Sequence, residues 1–388
     1  MRLGDIIEIK HGYAFSGDHI IEEDNNVVLV TPGNFRIGGG FQEKKCKFFN
    51  GDLPSDYILN EGDFIVTMTD LSKTIDTLGY SAIVPKSKNR IYLHNQRIGL
   101  VHFKNDICDR GYIYWLMRTR DYQRTIANTS TGSTVHHTSP SKIYDYEFET
   151  PDKATQHRVA SILFHYDSLI ENYQKQIKLL EESAQRLYKE WFVDLRFPGH
   201  KNTKIVDGVP EGWEKKKVGD LISKVRRTKQ VSANNYLNSG CIPVIDQSRN
   251  YIAGYTNDIE SLVKVTIPYI VFGDHTRVLK YVPFSFAKGA DGTQLIMSND
   301  LERMPQSLFY NSLIEIDLSN YSYARHFKYL KEESILVPSK DIAERYDKVV
   351  SQYFQSIQKS RDQIRHLTEA RDRMLPKLMN GEIEVKIQ

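Results

Sequence analysis

Apolar residues recur along two stretches of this chain at alternating steps of three and four. In the first they fall at Ile162, Tyr166, Leu169, Tyr173, Ile177, Leu180, Ala184, Leu187 and Trp191. That spacing is close to the heptad seam of a helix that packs along its whole length. The second stretch places Val350, Tyr353, Ile357, Ile364, Leu367 and Met374 on the corresponding stripe, interrupted by the polar Ser360 and Arg371. No glycine or proline falls between Pro151 and Pro198 or between Pro338 and Pro376. These prolines are expected to open or close each helix, because they lack the N–H that a helix interior needs. A helix of ~40 residues spans about 60 Å, longer than an ordinary domain, and its seam needs a partner. The two stretches are expected to pair with each other, antiparallel.

The rest of the chain reads differently. Short β-rich runs, VVLVT (27–31), DFIVTM (63–68), GYSAIV (79–84) and RIGLVHF (97–103), are separated by Gly, Asn and Asp clusters, as in strands joined by turns. Residues 109–127 are expected to form one helix carrying Tyr112, Trp115, Leu116 and Tyr122. Residues 242–296 repeat the style with IPVID, IPYIVF, VLKYV and QLIM. Both regions are mixed α and β.

The two helical stretches are also copies. Residues 151–187 align with 338–374 at a constant offset of 187, and ten of the 37 positions are identical, from Pro151/Pro338 to Arg186/Arg373. Upstream, LGDII (3–7) parallels VGDLI (218–222) at an offset of 215. The two offsets differ by 28, so the first module is longer by that many residues between its opening and its helix. The chain is two copies of one plan, a variable domain and then a helix, with the constant-offset repeat confined to the helices. The expected division is a first variable domain at 1–150, a helix at 151–197, a second variable domain at 198–337, and a second helix with a tail at 338–388.

Composition narrows the function classes. The 388 residues suit two domains rather than one, and no run approaches the ~20 apolar residues of a membrane span. The start, MRLGDIIEIKHG, has acids early and no apolar core, unlike a secretory signal. Cys46, Cys108 and Cys241 are odd in number and widely spaced, which indicates neither a disulfide framework nor a zinc site. A cytoplasmic protein is expected. The net charge is only +3, but Lys86, Lys88, Arg90 and Arg97 cluster without an acid between 86 and 97. Lys215, Lys216, Lys217, Lys224, Arg226, Arg227 and Lys229 cluster around one acid, Asp220. Such patches suit phosphate, or equally an ordinary solvated face.

Recognisable catalytic chemistry is missing. There is no Pro-Pro pair of the kind that holds a flipped base, and the Gly38–Gly40 run is followed by no helical pattern. Neither GxxxxGK[ST] nor HExxH occurs. The adjacent His136 and His137 lie in a Ser/Thr-rich stretch that reads as a polar loop rather than a metal site. The expectation is a binding module with no catalytic residue, no metal and no cofactor. Two other readings stay open: a self-contained nuclease or methyltransferase with an unrecognised site, and a coiled-coil scaffold that binds proteins only.

At this point the chain resembles a known family, the specificity subunits of type I restriction-modification enzymes. LYKEWFVDLRFPGH (187–200) is similar to the family's central spacer, VPEGWEKKKVGDL (209–221) to the opening of its second recognition domain, and RDRMLPKLMNGEIEV (371–385) to its C-terminal signature. YLHNQRIGLV (92–101), GSTVHH (132–137), FGDHTRVLKY (272–281), FAKGADGTQLI (286–296) and RHFKYLKEESILVP (325–338) resemble its recurrent internal segments. The chain departs from the pattern at its start, which lacks the tryptophan-containing lead seen before the second domain. The resemblance implies an α+β fold of two target-recognition domains separated by two long antiparallel helices, a coiled-coil spacer with pseudo-two-fold internal symmetry. It also implies that each domain reads one half of an interrupted, asymmetric double-stranded DNA target, with the helices setting the gap. Two modification (methyltransferase) subunits are implied as partners on the helices, and restriction (ATP-dependent translocase and nuclease) subunits as further partners, with no membrane.

Base readout favours Arg, Lys, Asn and Gln, whose donors and acceptors match base edges, supported by Ser/Thr and phosphate-binding Lys. In the first domain the DNA-binding candidates are Asn34, Arg36, Lys73, Asn95, Gln96, Arg97, Ser133, Thr134 and His136. In the second they are Arg226, Arg227, Lys229, Gln247, Arg249, His275, Arg277, Lys288 and Arg325. Any one of them has an equal claim to a structural role, satisfying a turn and its carbonyls.

Overall fold

A computed structural model of the chain describes residues 1–44, 46–72, 74–226, 228–321 and 325–385. It divides into two compact units, Met1–Ile170 with Arg365–Gln388, and Glu171–Ile364.

The first unit has two main sheets. One is antiparallel, in the order Ile7–His11, Ile98–Phe103, Phe64–Thr67 and Ser81–Ile83. The other runs Ile20–Ile21, Lys47–Phe49, Val27–Val30, Ile91–His94 and Ile58–Leu59, with the Val27–Val30 and Ile91–His94 strands parallel. The expected single helix over 109–127 is instead two, Arg110–Leu116 and Arg120–Asn128. Thr119 causes the break, since its hydroxyl donates to Leu116 O and accepts from Tyr122 N as an N-cap. Tyr112, Trp115 and Tyr122 are fully buried in a core that also takes in Val159 and Leu163 of the first long helix, and Leu375 and Leu378 of the second.

The second unit repeats the plan. Tyr269–Gly273 lies between Leu279–Val282 and Thr293–Ile296, as Phe64–Thr67 lies between Ser81–Ile83 and Ile98–Phe103. Ile242–Ile245 and Phe286–Lys288 are the parallel pair, flanked by Gly254–Thr256 and Leu262–Val263. The opening strands match as well: Lys217 stands opposite Ser334, and Arg2 opposite Glu147. The repeat therefore extends beyond the helices, a correction to the sequence reading. Sheet positions accept many apolar residues, so their identity fades while the hydrogen-bond plan persists. In register, Val30 pairs with His94 and Ile245 with Lys288. The offset falls from 215 to 194 between those two positions, so most of the extra length lies between the two parallel strands.

The long helices are Lys153–Tyr188, closed by a π turn at Lys189–Val193, and Lys340–Met379. In each unit a segment of one runs antiparallel to a segment of the other. In the first unit the Tyr166 hydroxyl meets Met374 Sδ at 3.2 Å. In the second, Ser360 Oγ meets Gln176 Oε1 at 3.4 Å and the Tyr346 hydroxyl donates to Ala184 O at 3.3 Å. The polar interruptions of the stripe are thus partnered across the pair, Ser360 by Gln176 and Arg371 by Asp167. The predicted seam drifts at Leu169, which is 46% exposed while Leu163 and Ile170 are buried, because 3.6 residues per turn do not keep a seven-residue repeat in line. Pro376 does not end its helix as expected but lies inside it. It falls in the last turn, so the lost N–H removes one bond without a helix body beyond it.

Candidate nucleic-acid interface

In the second unit three loops meet at one end of the sheets. Gln247, just past the strand Ile242–Ile245, donates Nε2 to Asp291 O (3.1 Å) and accepts from His275 N on Oε1 (3.1 Å). Its carbonyl accepts from the Thr276 hydroxyl at 2.5 Å. The approach is close enough to need glycine: at Gly292, with φ +68°, a Cβ would lie 2.6 Å from Gln247 Oε1 and 2.7 Å from His275 Cδ2. His275, Arg277 and Arg249 are exposed around this knot, while Arg277 also donates to Leu318 O at 3.1 Å. Asp274 ties in a fourth segment, its carbonyl accepting from His326 N (3.0 Å) and its carboxylate from Phe327 N (2.8 Å). That fixes the start of the helix His326–Glu332 and the exposed Arg325 before it.

The first unit builds a comparable edge. The segment Met68–Asp70 is bordered by Arg97, whose carbonyl accepts from Met68 N (2.9 Å), and by His136–His137, which pairs with Thr69–Asp70. Asp70 is buried and gathers the loop beyond it, accepting from Ser72 N (2.6 Å), Thr77 N (2.6 Å), the Thr77 hydroxyl (2.7 Å) and Leu78 N (3.1 Å). Burial alone would raise its pKa, but the hydrogen bonds from Ser72 and Thr77 outweigh it and hold the carboxyl below its ordinary value. Gln96 and Arg97 are exposed at the tip of the turn joining Ile91–His94 to Ile98–Phe103, and Ser133 and Thr134 are exposed in the loop before His136.

The basic runs of the sequence are partly neutralised in space. Lys86 pairs with Glu61 (3.5 Å), Arg90 with Asp24 (2.8 Å), Lys216 with Glu214 (2.8 Å) and Lys217 with Glu332 (2.7 Å).

Residues 1–182 match the family model described as the type I restriction modification DNA specificity domain. The chain is 27% identical over 317 residues to the type I restriction enzyme MjaIX specificity subunit of Methanocaldococcus jannaschii, covering 73% of this chain and 72% of that protein. It is 23% identical over 353 residues to the HindI specificity subunit of Haemophilus influenzae, covering 68% of this chain and 75% of that one. The crystal structure of the type I restriction-modification S subunit from M. genitalium matches all of this chain and 96% of its own, with a TM-score of 0.56 and 15% identity, a likeness of fold. The chain is similar to type I specificity subunits in sequence and, to the M. genitalium subunit, in fold.

Within this chain the expected DNA-binding residues sort by burial. Asn34 is fully buried, its side chain accepting from Thr31 N (2.9 Å) and donating to Gln42 O (3.2 Å). Asn95 is 6% exposed and accepts from Arg97 N at 3.1 Å. Both side chains are used inside their own loops, the structural role that the sequence left open beside base readout. Arg36 is exposed, on a turn anchored where Gly40 N donates to Ser81 O at 2.8 Å. Lys229 is exposed but held by Asp258 (2.8 Å) and Glu260 (3.3 Å). Arg226 is exposed, and Lys288, half-buried, stands in register with Ile245. Lys73 and Arg227 lie outside the described residues. Sequence reasoning missed the loop-holding acids Asp70 and Asp274. Their signal is an acid directly after an apolar strand run, in IVTMTD and YIVFGD. Among the described residues no helix is long and apolar enough to cross a membrane, and no three His, Cys, Asp or Glu side chains gather in a metal-binding group.

Proposed function

We propose that this chain is a type I specificity subunit and that it reads a bipartite, asymmetric double-stranded DNA target. One half is read by the loops around Arg97 and His136, the other by those around Gln247, Arg249, His275 and Arg277. One observation carries the reading: the same sheet plan occurs twice and ends in two loop clusters unlike each other in length and residue type. Two unlike readers on one frame suit two unlike half-sites, and forked Arg and Gln side chains match base edges while hydroxyls and lysines suit phosphate. Arg36, Gln96, Ser133, Thr134, Arg226, Lys229, Lys288 and Arg325 flank these clusters as supporting contacts.

In this reading residues 1–150 and 198–337 are the recognition domains, and 151–197 and 338–388 carry the docking surface for two adenine-methylating modification subunits. Restriction subunits add ATP-driven translocation and cleavage. The chain supplies no catalytic group and no cofactor, and it works in the cytoplasm. The relatives' names as specificity subunits of restriction enzymes support this assignment.

The test is footprinting of the full chain with its modification subunits at low and moderate salt. Two protected half-sites with an unprotected gap are expected, with binding that weakens steeply as salt rises. Methyl transfer from labelled S-adenosylmethionine by the purified chain alone would overturn the assignment.

A further inference from the structure

The loop Asp246–Asn250 carries Gln247 and Arg249, and it is held from inside the domain. Lys280, on the strand Leu279–Val282, is only 4% exposed. Its Nζ donates to Asp246 O at 2.7 Å and to Asn250 O at 2.5 Å, and lies 3.7 Å from the Asp246 carboxylate. One cation therefore gathers both ends of the loop. The same carboxylate accepts from Ser248 N at 2.9 Å, inside the loop. Just past the loop, the Tyr251 hydroxyl donates to Tyr281 O at 2.7 Å, and the Arg361 guanidinium lies 3.7 Å from the Tyr251 ring centroid.

A buried ammonium is unfavourable unless it is fully hydrogen-bonded, and burial pulls Lys280 down to about 8 despite Asp246. The sheet itself does not require it. Ala82 holds the matching position in the first unit, opposite Ile65 as Lys280 is opposite Val271. There a fully buried alanine with no side-chain donor suffices. Lys280 differs in carrying donors, and they go to the two ends of a loop that bears readers.

We propose that Lys280 is a positioning residue that sets the base preference of the Asp246–Asn250 loop without touching DNA. The inference rests on the DNA-recognition reading above. Base discrimination depends on presenting a side chain's donors and acceptors at a fixed distance and angle. Two loop-end carbonyls pinned to one atom supply that, and their release lets Gln247 and Arg249 take other poses.

The test uses the full chain co-purified with its modification subunits and a duplex library randomised over both half-sites, sequenced after binding. Lys280→Met keeps the stem and removes the donors. It is expected to reduce discrimination about tenfold at one half-site and to leave preference at the other half-site unchanged. A merely structural role would lower binding to every duplex alike, with the ratios between sequences intact, and that result overturns the proposal. Should Lys280→Met fail to fold by thermal melting, Lys280→Arg, which keeps the cation but moves its donors, carries the same prediction of an altered preference at that half-site. A wild-type complex that selects no sequence overturns the recognition reading and this inference with it. A wild type that selects, with variants that select identically, overturns only the role of Lys280.

Discussion

Arg118 donates to Asp167 at 2.9 Å from a side chain that is only 4% exposed. The same carboxylate accepts from Arg371 at 2.5 Å. Arg118 follows the helix Arg110–Leu116, Asp167 lies on the first long helix and Arg371 on the second. One carboxylate of the first unit therefore ties its variable domain to both helical segments. The guanidinium also lies 4.1 Å from the Trp115 ring centroid and donates to Gly38 O at 2.9 Å, so it extends the tie to the Gly38–Gly40 turn.

Removing Asp167 takes the counter-ion from the buried Arg118 and leaves Arg371 with Asp372. Asp167→Ala is expected to destabilise the first unit by roughly 2–3 kcal/mol, below the full value for a buried pair because the carboxylate is partly solvated. Arg118→Met should cost less, since Arg371 still pairs with Asp167 and the methionine retains much of the contact with Trp115. Urea unfolding followed by tryptophan fluorescence orders the two variants. Equal losses would show that Arg371 does not share the carboxylate.

Asn34 and Arg97 were indistinguishable as readers in the sequence but separate by burial. Asn34→Ala leaves Thr31 N and Gln42 O without their partner and is expected to cost about 1–3 kcal/mol of stability. DNA binding should fall only with the folded fraction. Arg97→Ala removes an exposed side chain, so the melting temperature should hold while target affinity drops by about 1–3 kcal/mol. Thermal melting and fluorescence anisotropy on the same preparations separate the two outcomes.

These contrasts show what the chain's pattern reveals of its structure. The long helices were legible because a stripe of apolar residues at steps of three and four has one physical solution, and the core strands because their apolar runs end at Gly, Asn and Asp. The duplicated sheets were not legible, since Val30 and Ile245, or His94 and Lys288, share a hydrogen-bond position without sharing chemistry. The pairing of the charge runs was not legible, because the partners of Lys86, Arg90 and Lys217 are Glu61, Asp24 and Glu332, remote enough in sequence to escape a local count. Asn34 escaped for a different reason: an amide's donors and acceptor serve a turn as well as a base edge.

Asp70 gives the first recognition edge a dependence on acid. Its folded-state pKa lies below the ordinary carboxylate value. The stability it contributes is therefore present above the unfolded-state value of about 4 and is lost as pH falls through the lower, folded-state value. Asp70→Asn should be less stable than wild type at pH 7, and the gap should narrow steadily as pH falls below about 4. Urea unfolding midpoints across that range check the sign. A gap that widens toward acid would mean that the carboxylate is not the form the loop holds.

Gly292 closes the second recognition knot, and two independent penalties meet there. Its φ of +68° disfavours any residue with a Cβ, and the space that a Cβ would fill is occupied by Gln247 and His275. Gly292→Ala must therefore strain the backbone, displace Gln247 from Asp291 O and His275 N, or both. The cost to stability should be about 1–2 kcal/mol, because the strain is local to an exposed loop junction. The effect on recognition should be larger, because Gln247 is the residue through which three loops share hydrogen bonds. The expected result is a small fall in melting temperature and a clear loss of sequence discrimination at one half-site. Selection from a duplex library gives both half-sites in one measurement. If Gly292→Ala instead lost preference at both, the two loop clusters would not read DNA independently.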